Sequence, residues 1–450
     1  MMNWEQLLSS DRFDLVAKKK LDDRSDSSRS EFERDYDRII FSAPFRNLQD
    51  KTQVFPLPEN DFVHTRLTHS LEVSSVGRSL GKSAGEFLLR KYPELRKKGI
   101  TNGDIGAIVA AAALTHDIGN PPFGHAGEEA ISDFFKFHSH GKLWKRHLQE
   151  EEWADMVNFE GNAQGFRMLV EKDNGLQISH ATLASFTKYP RPSYLNGKNS
   201  KRKSHKKYGF FADQLGHYKK LSNVLGIQAA GENCWLRHPL AFLVEAADDI
   251  CYSIIDLEDG CTLGLVQLEE TIDLLSQILG DRFKEEKLNA IPSRAKKLAV
   301  LRAMAINQLI RESVAAFEEQ EACMLSGDFD QALTEIIPSA LVLKKISNLS
   351  VKKIYQSRPV LEKEAAGYQV LEGLLEVFSK ALYCKYYSPN SFSGKDKSIL
   401  RLLPEEFQID KEAFIPYTLL RNLIDFISGM TDKYALSLYR KVKGISLPGT

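Results

Sequence analysis

The adjacent pair His116-Asp117 carries the first chemical signal in this sequence, within ALTHDIGNPPFGHAGEEA over residues 113–130. It follows an apolar run and stands just before Gly119-Asn120-Pro121-Pro122, a string that breaks a helix. Neighbours on a helix point about 100° apart, which still lets both reach an ion lying beside the helix end. Imidazole next to carboxylate suits a divalent cation of borderline to hard character. For a lone His-Asp pair, a hydrogen-bonded histidine beside a capping aspartate is the plainer reading. Two further residues change that balance. His69, in HTRLTHSLEV, heads the apolar stripe Val73, Val76 and Leu80. Asp248 lies in FLVEAADDICYSIIDLEDG among apolar residues, where a carboxylate demands a cation or several donors. Asp249, next on the same helix, points elsewhere. His69, His116, Asp117 and Asp248, on three separate apolar helices, predict an inward-facing metal site.

His125 and Glu128 follow at once. If a helix starts near Gly124, the two share a face at i and i+3. A carboxylate beside imidazole raises its proton affinity and fixes its tautomer, as general acid-base work requires. The bland alternative is a helix start whose acids, Glu128 and Glu129, favour the dipole.

Helices must position these groups, and helical periodicity dominates the chain. Leu71, Val73, Val76 and Leu80 space out as one face, and 105–114 reads as an alanine-rich buried helix. Leu240, Leu243, Ala247, Ile250 and Ile254 form another stripe. The segments 264–290, 296–325, 330–356, 360–385 and 412–442 carry similar patterns, while short strands are expected only near 53–55 and 210–211. The predicted fold class is all-α. Polar stretches at 21–31 and 189–208 read as loops. The second holds Lys198, Lys201, Arg202, Lys203, Lys206 and Lys207.

Composition bounds the class. The chain has 450 residues with 60 Lys+Arg against 60 Asp+Glu, which excludes a polyanion binder acting through overall charge. A hydrophobic share of 43% argues against intrinsic disorder. Five scattered cysteines without CxxC spacing fit reduced, mostly buried thiols. No window approaches the roughly 18 apolar residues of a membrane span, and the N-terminal segment lacks a signal-peptide core, so the expectation is a cytoplasmic protein.

The set His69, His116-Asp117 and Asp248 resembles the H…HD…D pattern of the HD-domain phosphohydrolase superfamily. Longer strings are similar to the deoxyguanosine triphosphate triphosphohydrolases within it: RDYDRIIFSAPFRNLQDKTQVFPLPENDFVHTRLTHSLEV, GNPPFGHAGEEA, NFEGNAQGFR, TLASFTKYP, VEAADDICYSIIDLEDG and ISGMTDKYAL. They run from about residue 30 to 260 and recur at 427–436; 265–410 matches only in being helical. The resemblance implies an HD core over 61–260, preceded by a substrate-contact segment at 1–60 and followed by packing helices at 261–450. It implies hydrolysis of dGTP or another dNTP at the alpha phosphorus, giving deoxynucleoside and inorganic triphosphate. His69, His116, Asp117 and Asp248 then hold one divalent ion, Mn²⁺ or Mg²⁺ first, with Fe²⁺, Co²⁺ and Zn²⁺ also compatible. His125 and Glu128 become the catalytic dyad.

Substrate contacts carried over from the resemblance are Arg46, Gln53, Asn162, Lys188, Tyr189, Lys207, Tyr252 and Asp256. Tyr252 and Asp256 fall at i+4 and i+8 from Asp248, on the same face. A tyrosine ring packed against the deoxyribose leaves no room for a 2′-hydroxyl. Asn47 stands where the family string has a second arginine, and Arg421 is a candidate donor to a purine edge. Relatives imply a homo-oligomer, a hexamer or tetramer, and regulation by single-stranded DNA. Two other classes compete: a different HD phosphoesterase, and a nucleic-acid-binding protein working through 198–207.

Overall fold

The structure, a computed structural model, describes residues 1–13, 29–54, 64–171, 176–195, 202–408 and 414–446. Its centre is a pair of helices, Arg66–Lys91 and Asn102–Thr115, each started by a reciprocal cap. Thr65 exchanges bonds with Thr68, and Thr101 with Asp104. The two helices lie unusually close because Gly77, Gly81 and Gly85 recur every fourth residue along their contact. A Cβ on Gly81 would stand 2.8 Å from the Ile105 carbonyl oxygen, and one on Gly85 would stand 3.0 Å from Asn102 Cα. That close approach brings the head of the first helix beside the end of the second.

The third central helix, Pro239–Thr262, begins with proline in its first turn and with His238 Nδ1 accepting from the Leu240 amide. Its stripe Leu240, Leu243, Ala247, Ile250 and Ile254 is buried throughout. At about 1.5–3 kcal/mol for each fully buried large aliphatic side chain, such a face locks the helix against its neighbours. The long helix Arg294–Ser326 packs on both Pro239–Thr262 and Arg66–Lys91. Trp4 inserts against it, donating from Nε1 to the buried Glu321 at 2.6 Å.

The buried residues form two cores. One joins the three central helices with the N-terminal turns and the 268–354 helices. The other joins the Gly124–Phe137 helix to Arg358–Tyr387, Pro416–Ser428 and Asp432–Val442. The predicted metal ligands therefore ride on first-core helices and the predicted dyad on a second-core helix.

The all-α expectation holds: among the described residues the sole sheet is a two-stranded hairpin, Ala229–Gly231 with Cys234–Trp235. Strand character expected near 53–55 and 210–211 reduces to isolated bridges, Thr52 with Thr65 and Pro192 with Phe210; Phe55 lies outside the described residues. Leu71 departs from its expected stripe and is exposed, because it sits on the far side of the helix from Val73. The 412–442 segment is broken at Gly429–Thr431, where Thr431 caps a new helix. A π-helical turn, Val351–Tyr355, closes the segment read as 330–356. Of the loop at 21–31, residues 21–28 lie outside the described residues. Cys234, Cys251, Cys261 and Cys384 are buried and Cys323 exposed, with no disulfide among them. No helix among the described residues is long and apolar enough to cross a membrane.

Candidate active site

His69, buried in the first turns of Arg66–Lys91, points Nε2 at Asp248 Oδ1, 3.2 Å away. His116 caps the end of Asn102–Thr115, with Nε2 3.6 Å from the same oxygen and 3.4 Å from Asp117 Oδ2. The two imidazole centroids are 5.2 Å apart. His116 Nδ1 donates to the Ala113 carbonyl at 2.7 Å, which leaves Nε2 as the nitrogen turned to the carboxylates and the one that would give its lone pair to a cation bound between them. Asn120 donates to Asp117 Oδ1. Arg66 Nη1 stands 2.7 Å from Asp117 Oδ2, yet off hydrogen-bond direction, and that buried oxygen has no hydrogen-bond partner. Two imidazoles and two carboxylates converge here with an acceptor left open. Ligand atoms of His69, His116 and Asp117 lie within 4.8 Å of one another, a donor set that fits a divalent cation, and Asp248 stands against both imidazoles.

The charges say the same. Burial disfavours an imidazolium at His116, but Asp117 and Asp248 overcome it and raise the group to about 9. Burial likewise opposes ionisation of Asp117, and Arg66 and His116 hold it well below the usual range. Asp248 is lowered against its own burial by His116 and His69. The paired carboxylates thus draw positive charge into the cluster, a charge that a bound cation would supply in place of the imidazole proton. Asp249 points elsewhere, as expected: it accepts from Thr334 Oγ1 at 2.6 Å, and burial pushes it up to about 6.

The dyad stands on Gly124–Phe137, where i, i+3 spacing puts His125 Nδ1 2.7 Å from Glu128 Oε2. The other oxygen of Glu128 accepts from the Gly161 amide at 2.7 Å. Burial would raise Glu128, but His125 and Lys207 keep it low. Glu128 in turn raises His125, whose ring is largely open to solvent. Nδ1–H is thereby committed to Glu128, and Nε2 is presented outward.

Behind the dyad, Lys207 Nζ is 3.0 Å from Glu160 Oε1 and 3.8 Å from Glu128 Oε2. Asn162 donates to that Glu160 oxygen at 2.7 Å. Lys188 Nζ lies 3.2 Å from Glu245 Oε1 and 5.8 Å over the buried Tyr189 ring, with its pKa raised mainly by Glu245 against burial. Tyr252 is partly exposed and stacks on Tyr355 at 5.7 Å. Tyr355 donates its hydroxyl to Asp256 at 2.7 Å. Burial, with Asp259 and Asp248 nearby, pushes Asp256 up to about 8 despite that bond. Gln53 keeps a buried Oε1 without a partner, an acceptor open to a ligand. Arg46 is exposed, and among the described residues nothing pairs with it.

Arg421 is different. It is fully buried in the second core, donating from Nη2 to Gln164 Oε1 at 2.6 Å with its guanidinium 3.7 Å over Phe211. A side chain so enclosed does not meet a purine edge. Three of the six basic residues of the run are paired within the chain, Arg202 Nε with Asp330 at 3.4 Å, Lys203 with Glu335 at 2.8 Å and Lys207 with Glu160, while Lys206 is exposed. Lys198 and Lys201 lie outside the described residues. A second histidine group, His138, His140 and Glu376, is partly engaged: Lys443 Nζ donates to Glu376 at 2.7 Å and the His140 amide donates to His138 Nδ1, while His140 Nδ1 has no partner.

Sequence reasoning did not single out Arg66, Glu160 or Tyr355. Arg66 stands at i−3 from His69, a spacing that would have placed it beside the ligands. Tyr355 comes from 99 residues beyond Asp256 and left no local signal.

Comparison with known proteins gives two family matches, the HD domain over residues 66–206 and the phosphohydrolase-associated domain over 334–441. A deoxyguanosinetriphosphate triphosphohydrolase-like protein of Synechocystis sp. is 40% identical, covering 99% of this chain and 100% of its own. One of Pseudomonas aeruginosa is 39% identical with the same coverage. A deoxyguanosinetriphosphate triphosphohydrolase of Salmonella typhimurium is 31% identical, over 92% of this chain and 94% of its own.

Proposed function

Because the chain belongs to the deoxyguanosinetriphosphate triphosphohydrolase family of HD-domain phosphohydrolases, we propose that it hydrolyses dGTP at the alpha phosphorus, releasing deoxyguanosine and inorganic triphosphate. The observation that carries this reading is the His125–Glu128 pair at 2.7 Å beside a four-residue donor set for a divalent ion. His69, His116, Asp117 and Asp248 hold the ion. Bound there, Mn²⁺ or Mg²⁺ supplies charge stabilisation at an alpha-phosphate oxygen and acidifies a water. Arg66, ion-paired to Asp117, adds a fixed positive charge where the phosphate arrives. His125 gives a proton from Nε2 to the departing 5′-oxygen, while ionised Glu128 holds its Nδ1–H. Lys188, Lys207, Asn162 and Arg46 meet the phosphate chain.

Tyr252 and Tyr355 wall the sugar, and Gln53 with Asp256 reads its 3′-hydroxyl. A carboxyl raised to about 8 is largely protonated at neutral pH. Protonated, it both donates to and accepts from a hydroxyl and has little attraction for a cation, which suits a sugar contact. In the same reading the chain works as a homo-oligomer.

Product identification tests the proposal. Incubated with Mn²⁺ or Mg²⁺ and each dNTP in turn, the protein should yield deoxyguanosine and intact triphosphate on ion-exchange chromatography, and Asp117→Ala should yield neither. Equal turnover of all four dNTPs would remove the guanine preference and keep the reaction. Release of orthophosphate or pyrophosphate would overturn the reaction itself.

A further inference from the structure

The string ISGMTDKYAL carries part of the family resemblance, yet none of its residues enters the site described above. We propose that Asp432 within it is a positioning residue for the His125–Glu128 dyad, acting through the turn that starts the dyad helix. The proposal rests on the dyad reading just given.

Asp432 opens the Asp432–Val442 helix but does not cap it; Thr431 Oγ1 does, accepting from the Tyr434 amide at 3.1 Å. The Asp432 side chain turns inward and is 1% exposed. Its Oδ1 accepts the Phe123 amide at 3.0 Å. Its Oδ2 accepts the Thr52 amide at 3.0 Å and also the Thr52 hydroxyl. One carboxylate thus ties together a segment before the HD core, the turn between the metal ligands and the dyad, and the C-terminal helices.

Phe123 is the sensitive point. It sits in the left-handed region at φ +63, and Gly124 follows at φ +60. A bulky residue stays in that region only where its surroundings impose it. Phe123 makes no side-chain cap for its helix, so the entry angle is set by what holds its amide and its ring. Asp432 holds the amide. The ring is buried against Gly367, where an added Cβ would stand 2.7 Å from Phe123 Cγ. The other end of the turn is tied to the same place, because buried Lys51 donates to the carbonyls of Asn120 and Ser428, each at 2.7 Å. Asn47 Nδ2 adds a bond to the Gly429 carbonyl at 3.0 Å. His125 comes two residues after Phe123 and Glu128 five, so the backbone at Phe123 aims both side chains.

A mere staple between distant parts of the chain would lower stability and leave the turnover of folded molecules unchanged. A positioning residue lowers kcat and spares substrate and ion binding. Asp432→Asn turns one amide donor against another, and Gly367→Ala pushes the Phe123 ring from the opposite side. Both are expected to cut kcat by about 10–100-fold, the penalty of small misplacement. Kd for Mn²⁺ should stay within about threefold of wild type in both, and so should KM for the dNTP in Gly367→Ala, which leaves Asp432 bound to Thr52 and hence Gln53 in place. Lys433→Ala, next along the helix and paired with Asp50 at the surface, should change none of these. Wild-type kcat in either folded variant, with folding checked by circular dichroism at the assay temperature, overturns the proposal. Should Asp432→Asn fail to fold, Gly367→Ala decides alone. A His125→Ala protein with undiminished turnover would sink the dyad reading itself. An inactive His125→Ala beside a fully active Asp432→Asn would sink only the positioning role.

Discussion

Individual side chains here are tuned by a few near neighbours, and the tuning sets pH behaviour. Glu128 raises His125 at 2.7 Å, so the imidazolium proposed to protonate the leaving oxygen survives to higher pH than a free histidine. His125→Ala should lower kcat by about 10²–10⁴-fold, the usual worth of a general acid. Glu128→Gln should move the alkaline limb of the kcat profile down toward the ordinary imidazole value near 6.5. An unmoved limb would show that another group donates. His64 gives a stability counterpart. Its Nδ1 is 2.9 Å from Asp259 Oδ1 and its Nε2 3.4 Å from Glu72 Oε1, and these carboxylates outweigh burial and raise it to about 10. A raised group stabilises the fold fully below its unfolded pKa and loses that effect as pH climbs through the folded one. His64→Gln should therefore destabilise by about 2 kcal/mol at pH 6, with the gap to wild type closing between pH 6.5 and about 10. Urea unfolding at several pH values reads this directly; a gap that widened with pH would refute it.

At the scale of helices, the decisive contact is the glycine-lined approach of Arg66–Lys91 to Asn102–Thr115. Gly81→Ala places a methyl 2.8 Å from the Ile105 carbonyl oxygen and 2.9 Å from Gly106 Cα, backbone that has no side-chain freedom to yield. Overpacking of this kind costs about 1–3 kcal/mol. Because the helices must part, His69 should also drift from His116, and Mn²⁺ affinity should fall with stability. Calorimetric titration checks the pairing of the two effects, and a Gly81→Ala protein that is less stable but binds Mn²⁺ normally would separate them. The helices themselves were legible in sequence. Thr65 with Thr68, Thr101 with Asp104, and the buried Leu240–Ile254 stripe are local patterns that chain chemistry fixes. Leu71 was misassigned because its spacing to Val73 fits a strand face better than a helix face. The break at Gly429–Thr431 was hidden inside a long apolar pattern that continues on both sides of it.

For the whole molecule, the candidate site lies where two cores meet, with the proposed metal ligands on helices of one and the proposed dyad on a helix of the other. Relative placement of the two is then a property of the complete chain, and distant anchors matter. Trp4 fills a fully enclosed position and donates to Glu321, which also accepts from Tyr92 at 2.9 Å and Lys91 at 2.6 Å. Trp4→Ala should destabilise by about 3–5 kcal/mol through the cavity and the lost bond to Glu321, as read by the denaturation midpoint. A shift below about 1 kcal/mol would mean the N-terminal turn is dispensable.

By itself the sequence determined the residue types and their local spacing: a His-Asp pair at a helix end, a His and a Glu three apart, an aspartate in an apolar stripe, and a family pattern that joins them. Local spacing suffices there because a helix converts sequence distance into direction without outside help. Tertiary structure alone decided which partners come from far along the chain. It brought Tyr355 to Asp256, enclosed Arg421 against Gln164 and Phe211, and set Asp432 against Phe123 across 309 residues. Such contacts depend on how helices pack, and packing leaves no periodic trace in the residues that happen to meet.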